Sequence, residues 1–488
     1  MGDIKKQSIN NFIYSYVGAL LGFLTIYIQP NLISSADIGL LRLFYSFSWM
    51  AAIAMPLGMA SLTSRFFPKI KNGENNHHGF FVLILIIASI GSLIIASVLY
   101  VNKSFFIQYY QKSPEFSQYF EEALVFAYIL SLISVYTAFS SALLKTTFTV
   151  FLSDVFVRIG QLLVVIIYHY GFINKQVLVL SYMGIFALQL VLLLIYLKNI
   201  KAVSFRVNWS FYKTLPLKEM GYFAFLMMFT AFASLGIRYI DQLLIGHFLN
   251  EKLVGIYATC VMMCAIMEIP FNSLERIAQP KISHAWNIND SKEVEKIYEM
   301  SSRYMFFIGS ILFCVLWTSM DFIFMFLPKE YEQGKMAFYV VSISSLVNLL
   351  TGVNTSVINM SHKYFAISFL LFVLIVVSCL SNYWLIQLFG ITGAAVSMLI
   401  SIGIFNVLKY FYILWRFKMQ PFSSNTLYII LATLASVTVI LLIPSFVHPF
   451  VKALIGGTFT IVLFSVINVK YEIISEINKI FKRFKLIK

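Results

Sequence analysis

Charge is scarce in this sequence. Only 12% of its 488 residues are Asp, Glu, Lys or Arg, whereas soluble proteins contain about 25%. Hydrophobic residues make up 60% of the chain, so the composition excludes a soluble domain and predicts a membrane protein with many spanning segments. The net charge is +15, but the sequence contains no basic, aromatic-rich soluble segment that could bind a polynucleotide. Nucleic acid is therefore not an expected partner.

Cysteine and the motifs of catalytic chemistry are also scarce. Four cysteines occur, all inside apolar segments and without CxxC spacing, at Cys260, Cys264, Cys314 and Cys379. This pattern predicts neither a disulfide framework nor a metal site. The chain has no GxxxxGK[ST] loop, which argues against direct use of ATP. No Ser/His/Asp arrangement and no long outer loop are present, so we expect no catalytic residues, no metal and no enzymatic activity.

Long apolar runs dominate the sequence instead. A segment of about 20 residues spans the roughly 30 Å of bilayer hydrocarbon. Because these runs lack the alternation of barrel strands, they can only be helices. The predicted fold is an all-α polytopic membrane protein. We number the fourteen predicted spans 1 to 14, at residues 9–29, 38–60, 80–101, 122–143, 149–169, 176–197, 221–245, 253–274, 304–327, 336–359, 364–388, 391–414, 425–444 and 450–469.

The distribution of basic residues predicts the orientation. Of the 36 Lys and Arg residues, Arg42, Arg158 and Arg238 were assigned to spans, and the loops of one side hold only Lys103, Lys112, Lys175, Lys252, Lys329, Lys335 and Lys452. Cytoplasmic loops collect Lys and Arg, so the richer side, with both termini, is predicted to be cytoplasmic. Residues 1–8 lack a cleavage site, which predicts that the first apolar segment is a retained helix.

The chain repeats itself at an offset of 212 to 219 positions. Residues 27–33 (YIQPNLI) are echoed by residues 239–245 (YIDQLLI), and further matches pair Gly39 with Gly255, Pro56 with Pro270, Pro68 with Pro280 and Gly171 with Gly390. The offset covers six spans, an even number, so both copies enter the membrane in the same direction. Parallel repeats of this kind are typical of transporters.

The repeat predicts the domain organisation. We expect two parallel six-helix lobes followed by two helices outside the repeat. The predicted parts are an N-lobe at residues 1–197, a cytoplasmic linker at 198–220, a C-lobe at 221–415, spans 13 and 14 at 425–469, and a tail at 470–488. The tail has apolar residues at helical spacing from Ile473 onward with basic residues between them, which predicts an amphipathic helix suited to the anionic leaflet.

Several ionisable residues lie inside predicted spans, where each costs at least about 2.5 kcal/mol. Asp154 and Arg158 are four positions apart in span 5, and Arg238 and Asp241 are three apart in span 7. Each pair is placed to neutralise itself on one helical face. Charge compensation and a role in a transport cavity are both open. Arg42 lies nearer a span end, where snorkelling is expected.

Glu268 has no basic neighbour within a turn of its own helix. A lone buried carboxylate is suited to carrying a proton, and a basic partner from another helix is the alternative. Pro56 and Pro270 occupy equivalent spans and are predicted to bend them, either as hinges or as static kinks. Span 10 carries a polar stripe that either bonds other helices or faces a wet cavity, at Asn348, Thr351, Thr355 and Asn359.

The arrangement of spans as 6 + 6 + 2 resembles the Wzx-type polysaccharide-export flippases. These belong to the multidrug/oligosaccharidyl-lipid/polysaccharide (MOP) transporter superfamily. The residues that carry the resemblance are Arg65-Phe66-Phe67-Pro68 after span 2, the run from Arg238 to Gly246 followed by Gly255-Ile256-Tyr257, and the entry to span 12 from Phe389 to Ala395.

The resemblance implies a flippase of the bacterial inner membrane. Its substrate would be an undecaprenyl-pyrophosphate-linked oligosaccharide, turned from the cytoplasmic to the outer face by alternating access. Arginines clamp a pyrophosphate bidentately, and the candidates are Arg42, Arg65, Arg158 and Arg238. An H⁺ or Na⁺ gradient would supply the energy through Asp241, Glu268 or Asp154. Membrane lipids, a polysaccharide polymerase and other assembly proteins are the expected partners.

Three alternatives remain at this point. A cation-coupled exporter of drugs or small molecules and a lipid II flippase would share the fold. Span 1 has no charged residue between Lys6 and Asp37, whereas lipid II flippases resembling this fold carry arginines there and many exporters carry a carboxylate. This difference favours the Wzx-type branch. The third alternative, a structural partner in a synthesis complex, is not excluded by the sequence.

Overall fold

The computed structural model describes residues 2–72, 76–200, 207–363, 365–444 and 446–474. Helices make up 87% of the structure, and the described ranges contain no strand. The chain forms two compact units, Met1–Ala258 and Thr259–Lys488. The predicted all-helical membrane fold is confirmed. The unit boundary falls inside span 8, so unit 1 includes span 7 as well as spans 1 to 6, and the predicted lobes remain a prediction.

Unit 1 contains twelve α-helices and the start of a thirteenth in its described residues. They are α1 Gly2–Leu32, α2 Ser35–Ala54, α3 Met59–Ile70, α4 Phe80–Val101, α5 Lys103–Tyr109, α6 Pro114–Gln118, α7 Phe120–Ala142, α8 Thr147–Val150, α9 Val157–His169, α10 Lys175–Asn199, α11 Trp209–Tyr212, α12 Leu217–Phe248 and α13 Glu251–Cys264, which crosses the unit boundary.

Helix α7 is the centre of unit 1. It packs against α2, α3, α4 and α10, and its buried residues are mostly apolar or small. The core of the unit is aromatic, with Phe44 of α2 stacked on Phe126 of α7 at a centroid distance of 5.1 Å. Helix α1 is different, because most of its apolar surface is exposed. An apolar helix with little protein contact is suited to face lipid.

Unit 2 contains the end of α13 and seven further α-helices in its described residues. They are α14 Glu268–Asn287, α15 Ser291–Met325, α16 Lys335–Leu350, α17 Asn354–Asn359, α18 Phe365–Phe417, α19 Ser424–Leu442 and α20 Pro449–Tyr471. Helix α15 packs against α14, α16, α19 and α20. Its side chains Phe306 and Phe307 form a core with Ile429 and Phe464.

Eleven helices in the described residues are long and apolar enough to cross a membrane, or twelve when α2 and α3 count as one bent span. The prediction was fourteen. The difference has two causes. Span 10 is divided into α16 and α17, so neither part is long enough by itself. Spans 11 and 12 form the 53 residues of α18, which as one straight helix would measure about 80 Å.

Helix α18 is in fact two antiparallel arms joined at Gly390. This glycine has a φ of 59° and a ψ of −137°, outside helical values. The arms face each other, since Ser381 and Ser397 share a hydrogen bond of 2.6 Å, and a Cβ on Gly393 would meet the backbone of Leu385. The close turn predicted between residues 388 and 391 is therefore present.

Most of the predicted tail, residues 475–488, lies outside the described residues, as does part of the linker at 201–206. Ile473 is described, and its environment differs from the prediction. It is buried in the core cluster of unit 2 with Phe306 and Phe464, because α20 ends at Tyr471 and Glu472 turns the chain with a φ of 48°. Ile473 therefore does not belong to a membrane-facing stripe.

Candidate functional site

Two glycines of α1 create the first part of the candidate site in unit 1. A Cβ on Gly18 would meet the backbone of Asp154, and a Cβ on Gly22 would meet the guanidinium of Arg158. Glycines four positions apart let two membrane helices approach closely. In this space Arg158 donates a hydrogen bond to the backbone carbonyl of Gly18, and Asp154 accepts one of 3.0 Å from the Ser15 hydroxyl.

Asp154 and Arg158 do not meet in an ion pair, although the charge of Asp154 acts on Arg158. Within the described chain, neither side chain takes part in an ion pair. Both turn towards α1, whose hydroxyl and carbonyl groups supply the partners. Asp154 also lies within a π turn, Phe151–Phe156, that precedes α9. Such turns are rare and frequently occur at functional sites, and nothing in the sequence pattern signalled this one.

Arg42 belongs to the same neighbourhood. Its charge acts on Arg158 and on the hydroxyls of Tyr45 and Tyr182. Tyr45 in turn contacts Tyr239 of α12 edge to face, at a centroid distance of 6.1 Å. We call these five residues the arginine–tyrosine cluster. Arg42 is half-buried, and its charge reaches Arg158 and two tyrosines, while the snorkelling expected of it stays a prediction.

Arg238 and Asp241 occupy different environments. Arg238 is exposed, and it has no hydrogen bond or ion pair in the described part of the chain. Asp241 is buried and accepts a hydrogen bond of 2.9 Å from the Tyr257 hydroxyl. The self-neutralising pair predicted for span 7 is therefore wrong. The two residues are three positions apart on α12, and Arg238 lies on an exposed face of the helix while Asp241 lies on a buried face.

Arg65 lies apart from the arginine–tyrosine cluster, at an exposed position of α3. Its guanidinium packs over the ring of Phe223 on α12, at 4.4 Å from the centroid. A cation over an aromatic face is attracted by the negative charge of the ring surface. Arg65 therefore connects α3 to α12 and is not gathered with Arg42 and Arg158.

Pro56 lies at a true break between α2 and α3, which are bent by 48°. Leu57 and Gly58 have φ values of 50° and 76°, in the left-handed region that favours glycine. A Cβ on Gly58 would meet the backbone carbonyl of Ala224 in α12. The predicted bend in span 2 is present, and Leu57 and Gly58 contribute to it together with the proline.

Span 8 is distorted near Pro270, in a different way. A 3-10 turn, Ala265–Met267, separates α13 from α14, and Pro270 is the third residue of α14. Glu268 is the first residue of α14 and is partly exposed. It also has an interaction within the described chain, so the expectation of a lone buried carboxylate is wrong. Short 3-10 turns are frequent at the ends of α-helices, and here the turn places the Glu268 carboxylate at the start of α14.

The polar stripe of span 10 bonds to another helix. Span 10 breaks at Gly352, which has a φ of 55°. Asn406 of α18 accepts hydrogen bonds from Thr351 at 2.8 Å and from Asn354 at 3.1 Å, and it donates one of 3.3 Å to Asn348. Of the two alternatives for the stripe, bonding to another helix or facing a wet cavity, these residues therefore show the bonding to another helix. Thr355 continues the stripe beyond the break.

The partner of Thr355 is Lys409, which was not among the predicted site residues. Lys409 donates a hydrogen bond of 3.0 Å to the Thr355 hydroxyl and is only 2% exposed. It lies inside span 12, although Arg42, Arg158 and Arg238 are the only basic residues assigned to the predicted spans. The sequence alone could have indicated this residue, because a lysine within an apolar span is costly and is usually functional. The neighbouring Ser356 hydroxyl bonds to Glu275 at 2.6 Å.

At the predicted outer end of unit 1, the short segment around α5 and α6 is fastened to the turn between α12 and α13. Ser113 donates a hydrogen bond of 2.7 Å to the carbonyl of Gly246, and the buried Glu251 carboxylate accepts one of 3.1 Å from the backbone N–H of Phe116. Helices α2 and α13 touch through their backbones at Gly39 and Gly255. These contacts hold α2, α6, α12 and α13 together at this end of unit 1.

In the described ranges, no three His, Cys, Asp or Glu side chains are grouped to hold a metal ion. The cysteines there are free, and Cys260, Cys264 and Cys314 are buried. These cysteines behave as small apolar residues within packed helices.

Solved structures place this geometry among known folds. The structure of "Lipid II flippase MurJ, inward closed conformation" superposes with a TM-score of 0.76 over 95% of this chain and 98% of that chain, at 14% identity. This chain therefore has the same fold as that structure. A multidrug resistance MATE transporter of the MOP superfamily, in an inward-facing conformation, gives a TM-score of 0.64 at 11% identity over 82% of this chain and 94% of that chain.

A MOP superfamily transporter from Pyrococcus furiosus gives a TM-score of 0.58 at 12% identity, over 85% of this chain and 95% of that chain. The sequence matches no protein-family model and no curated protein. At such low identity the similarity establishes the fold alone, so the substrate has to be argued from the residues of this chain.

Proposed function

We propose that the protein is a flippase for undecaprenyl-pyrophosphate-linked oligosaccharides in the bacterial inner membrane. It turns the repeat unit from the cytoplasmic to the outer face for surface polysaccharide synthesis, with both termini in the cytoplasm. The fold supports a transporter, and the arginine–tyrosine cluster is the observation that supports this class of substrate. No covalent chemistry is required of the protein.

The cluster has the groups that a pyrophosphate needs. The charge of Arg42 acts on Arg158, and each guanidinium can hold phosphate oxygens with two parallel N–H donors. Tyr45, Tyr182 and Tyr239 add hydroxyl groups and flat apolar faces. The two positive charges repel each other, and an anion between them would offset that repulsion. This is the chemistry of an anionic headgroup.

The same charges argue against an exporter of cationic drugs. Such a substrate would be repelled by Arg42 and Arg158, and the carboxylate of Asp154, in the π turn before α9, already accepts a hydrogen bond from Ser15. A like charge facing a ligand costs affinity and is one way in which proteins reject a wrong partner. We therefore propose an anionic lipid-linked substrate in preference to an organic cation.

We propose that an H⁺ or Na⁺ gradient supplies the energy and that no cofactor is needed. Asp241, Glu268 and Asp154 are the candidates for taking up the ion. Among them Asp241 is the most buried and has a hydroxyl partner, which is typical of a carboxylate inside a membrane protein. Movement would occur at the bends near Pro56 and Pro270. Polysaccharide polymerase and other assembly proteins are the proposed partners.

Deletion of the gene tests the proposal. A strain without the protein should lose its surface polysaccharide and accumulate the lipid-linked repeat unit on the cytoplasmic face. Expression of wild-type protein should restore export. Arg158→Gln should not, although its amount in the membrane should be unchanged, and Lys418→Gln at an exposed position should behave as wild type. Normal surface polysaccharide in the deletion strain would disprove the proposal.

A lipid II flippase is the second candidate, favoured by the TM-score of 0.76 to MurJ. Lipid II also carries a pyrophosphate, so the cluster fits both substrates. The two functions separate in a strain whose own lipid II flippase can be depleted. Growth rescued by this chain would favour lipid II, whereas failure to rescue together with restored polysaccharide export would favour the oligosaccharide.

A further inference from the structure

A buried lysine is the least expected charge in unit 2. The Lys409 ammonium is 2% exposed, and its Nζ lies 4.0 Å from the ring centroid of Phe405 on the same helix. Its hydrogen bond goes to the neutral hydroxyl of Thr355. No carboxylate of the described chain forms an ion pair with it. Buried charges are normally paired, so this arrangement demands a function.

The lysine contacts the part of unit 2 where the backbone is irregular. Thr355 belongs to α17, which follows the break at Gly352. On the other side α17 contacts α14, because Ser356 donates to Glu275 and Trp286 donates from its indole N–H to the carbonyl of Val357 at 3.1 Å. Helix α17 is thus held between Lys409 and Glu275. Broken helices in transporters are places where coupling ions bind.

Glu275 is the charged group whose field acts on Lys409. The other ionisable residues on the surrounding helices fall into three groups. On α14, Arg276, Lys281 and His284 are exposed, and Glu268 lies two turns before Glu275. On α15, Glu299 pairs with Arg303 at 3.7 Å and Tyr298 is buried. On α16, Lys335 and Tyr339 lie in the first two turns, far along the helix from Asn348, and on α18 Tyr410 packs on Phe422.

We propose that Lys409 is a proton-binding site that controls the position of α17, with Glu275 as its electrostatic partner. With the proton bound, the ammonium holds the Thr355 hydroxyl and is attracted towards Glu275. When Nζ releases the proton to water, that attraction ends, and α17 keeps its hydrogen bonds to Glu275 and Trp286 without the pull of a charged ammonium. The site assigns a proton to a residue other than Asp241, Glu268 and Asp154, and it does not depend on the identity of the substrate.

Trp286 allows a test without substrate, since its indole is bonded to α17. The other five tryptophans are replaced by phenylalanine in the full-length protein, reconstituted in lipid nanodiscs. The fluorescence emission of Trp286 is then followed from about pH 6 to about pH 10. This range ends below the pH at which an ordinary lysine titrates, about 10.4. We expect one transition that fits the uptake of a single proton.

Variants assign the transition. Lys409→Met and Lys409→Arg should both abolish it, the first with emission fixed at the alkaline level and the second at the acidic level, because a guanidinium stays charged. Glu275→Gln should move the midpoint to lower pH, since loss of a nearby negative charge disfavours the ammonium. Lys418→Met, at an exposed position just after α18, should leave the curve unchanged.

A flat curve in the parent protein overturns the proposal, and so does a transition that persists in both Lys409 variants. If one Lys409 variant does not fold, as judged by size-exclusion chromatography, the other decides. If neither folds, an unshifted midpoint in Glu275→Gln overturns it. Because the assay contains no lipid-linked sugar, a negative result leaves the flippase proposal standing.

Discussion

Arg158 donates a hydrogen bond to the backbone carbonyl of Gly18, a residue 140 positions earlier in the chain. The contact is possible because Gly22, one turn further along α1, has no side chain to occupy the space of the guanidinium. An arginine inside a membrane needs acceptors, and here a helix backbone supplies one. Helix α1 therefore positions Arg158 within the arginine–tyrosine cluster.

Gly22→Leu is expected to displace Arg158. The new side chain would occupy the place of the guanidinium, and overpacking of this kind costs about 1–3 kcal/mol. Thermal unfolding in detergent should show a lower midpoint, and polysaccharide export should be lost. Gly184→Ala is the matched control, because a Cβ on Gly184 of α10 meets nothing within 4 Å. Full export by Gly22→Leu would contradict the role given to this contact.

Glu251→Ala is expected to release the segment around α6. The buried N–H of Phe116 would lose its acceptor, and an unsatisfied buried donor costs about 1–3 kcal/mol. Hydrogen exchange should become faster in residues 103–118. Glu251→Gln keeps an oxygen at the same place and should restore most of the protection. Glu121→Ala, which removes the partner of Lys103 in an exposed ion pair, should change little. Equal exchange in wild type and Glu251→Ala would refute this assignment.

Gly255→Leu is expected to separate α2 from α13. A Cβ on Gly255 would meet the carbonyl of Ser35, so a leucine forces the two backbones apart. Ser35 is buried, and a cysteine there should react slowly with a membrane-impermeant maleimide in the parent protein. In the Gly255→Leu background labelling from the predicted outer side should increase at least about tenfold, as for a shift of 1.4 kcal/mol in an opening equilibrium.

The labelling experiment has an internal reference at Lys103. A cysteine at this more exposed position should react equally in both backgrounds. Rapid labelling of Ser35→Cys in the parent protein would show that the end of unit 1 is open under the assay conditions. Labelling of Lys103→Cys only from the cytoplasmic side would reverse the predicted orientation.

Gly58→Ala is expected to destabilise the protein more than Pro56→Ala. Gly58 has a φ of 76° and lies against the carbonyl of Ala224, so an added methyl group meets both backbone strain and a clash, at a cost of more than about 1 kcal/mol. Pro56→Ala leaves the left-handed residues of the bend in place. Thermal midpoints of the two variants decide the order. A larger loss for Pro56→Ala would show that the proline itself maintains the bend.

The periodic and compositional features of the sequence predicted the fold well. Apolar length predicted fourteen spans, against the eleven or twelve spanning helices of the described residues. The turn near residue 390 was placed correctly, and a helix of 53 residues could not fit one bilayer. The polar stripe of span 10 was recognised from spacing alone. These predictions rest on local properties, namely hydrophobicity, length and helical period, which a single sequence contains.

The candidate site was predicted less well. Spacing suggested that Asp154 would pair with Arg158 and Arg238 with Asp241, yet each of these groups is engaged elsewhere or exposed. Positions on one helix indicate which partners are near, but a partner from a second helix competes for each charge. For the same reason, the π turn at Asp154 and the burial of Lys409 were not predicted, since both depend on the side chains and backbone groups of neighbouring helices.

The sequence by itself determined that this chain crosses a membrane many times as helices, because apolar segments without charge have no other stable form in lipid. Only the tertiary structure decided which charges meet. It brought Arg158 to Gly18 and Lys409 to Thr355, because the approach of two helices depends on side-chain packing over their whole length and not on the residues of either helix alone.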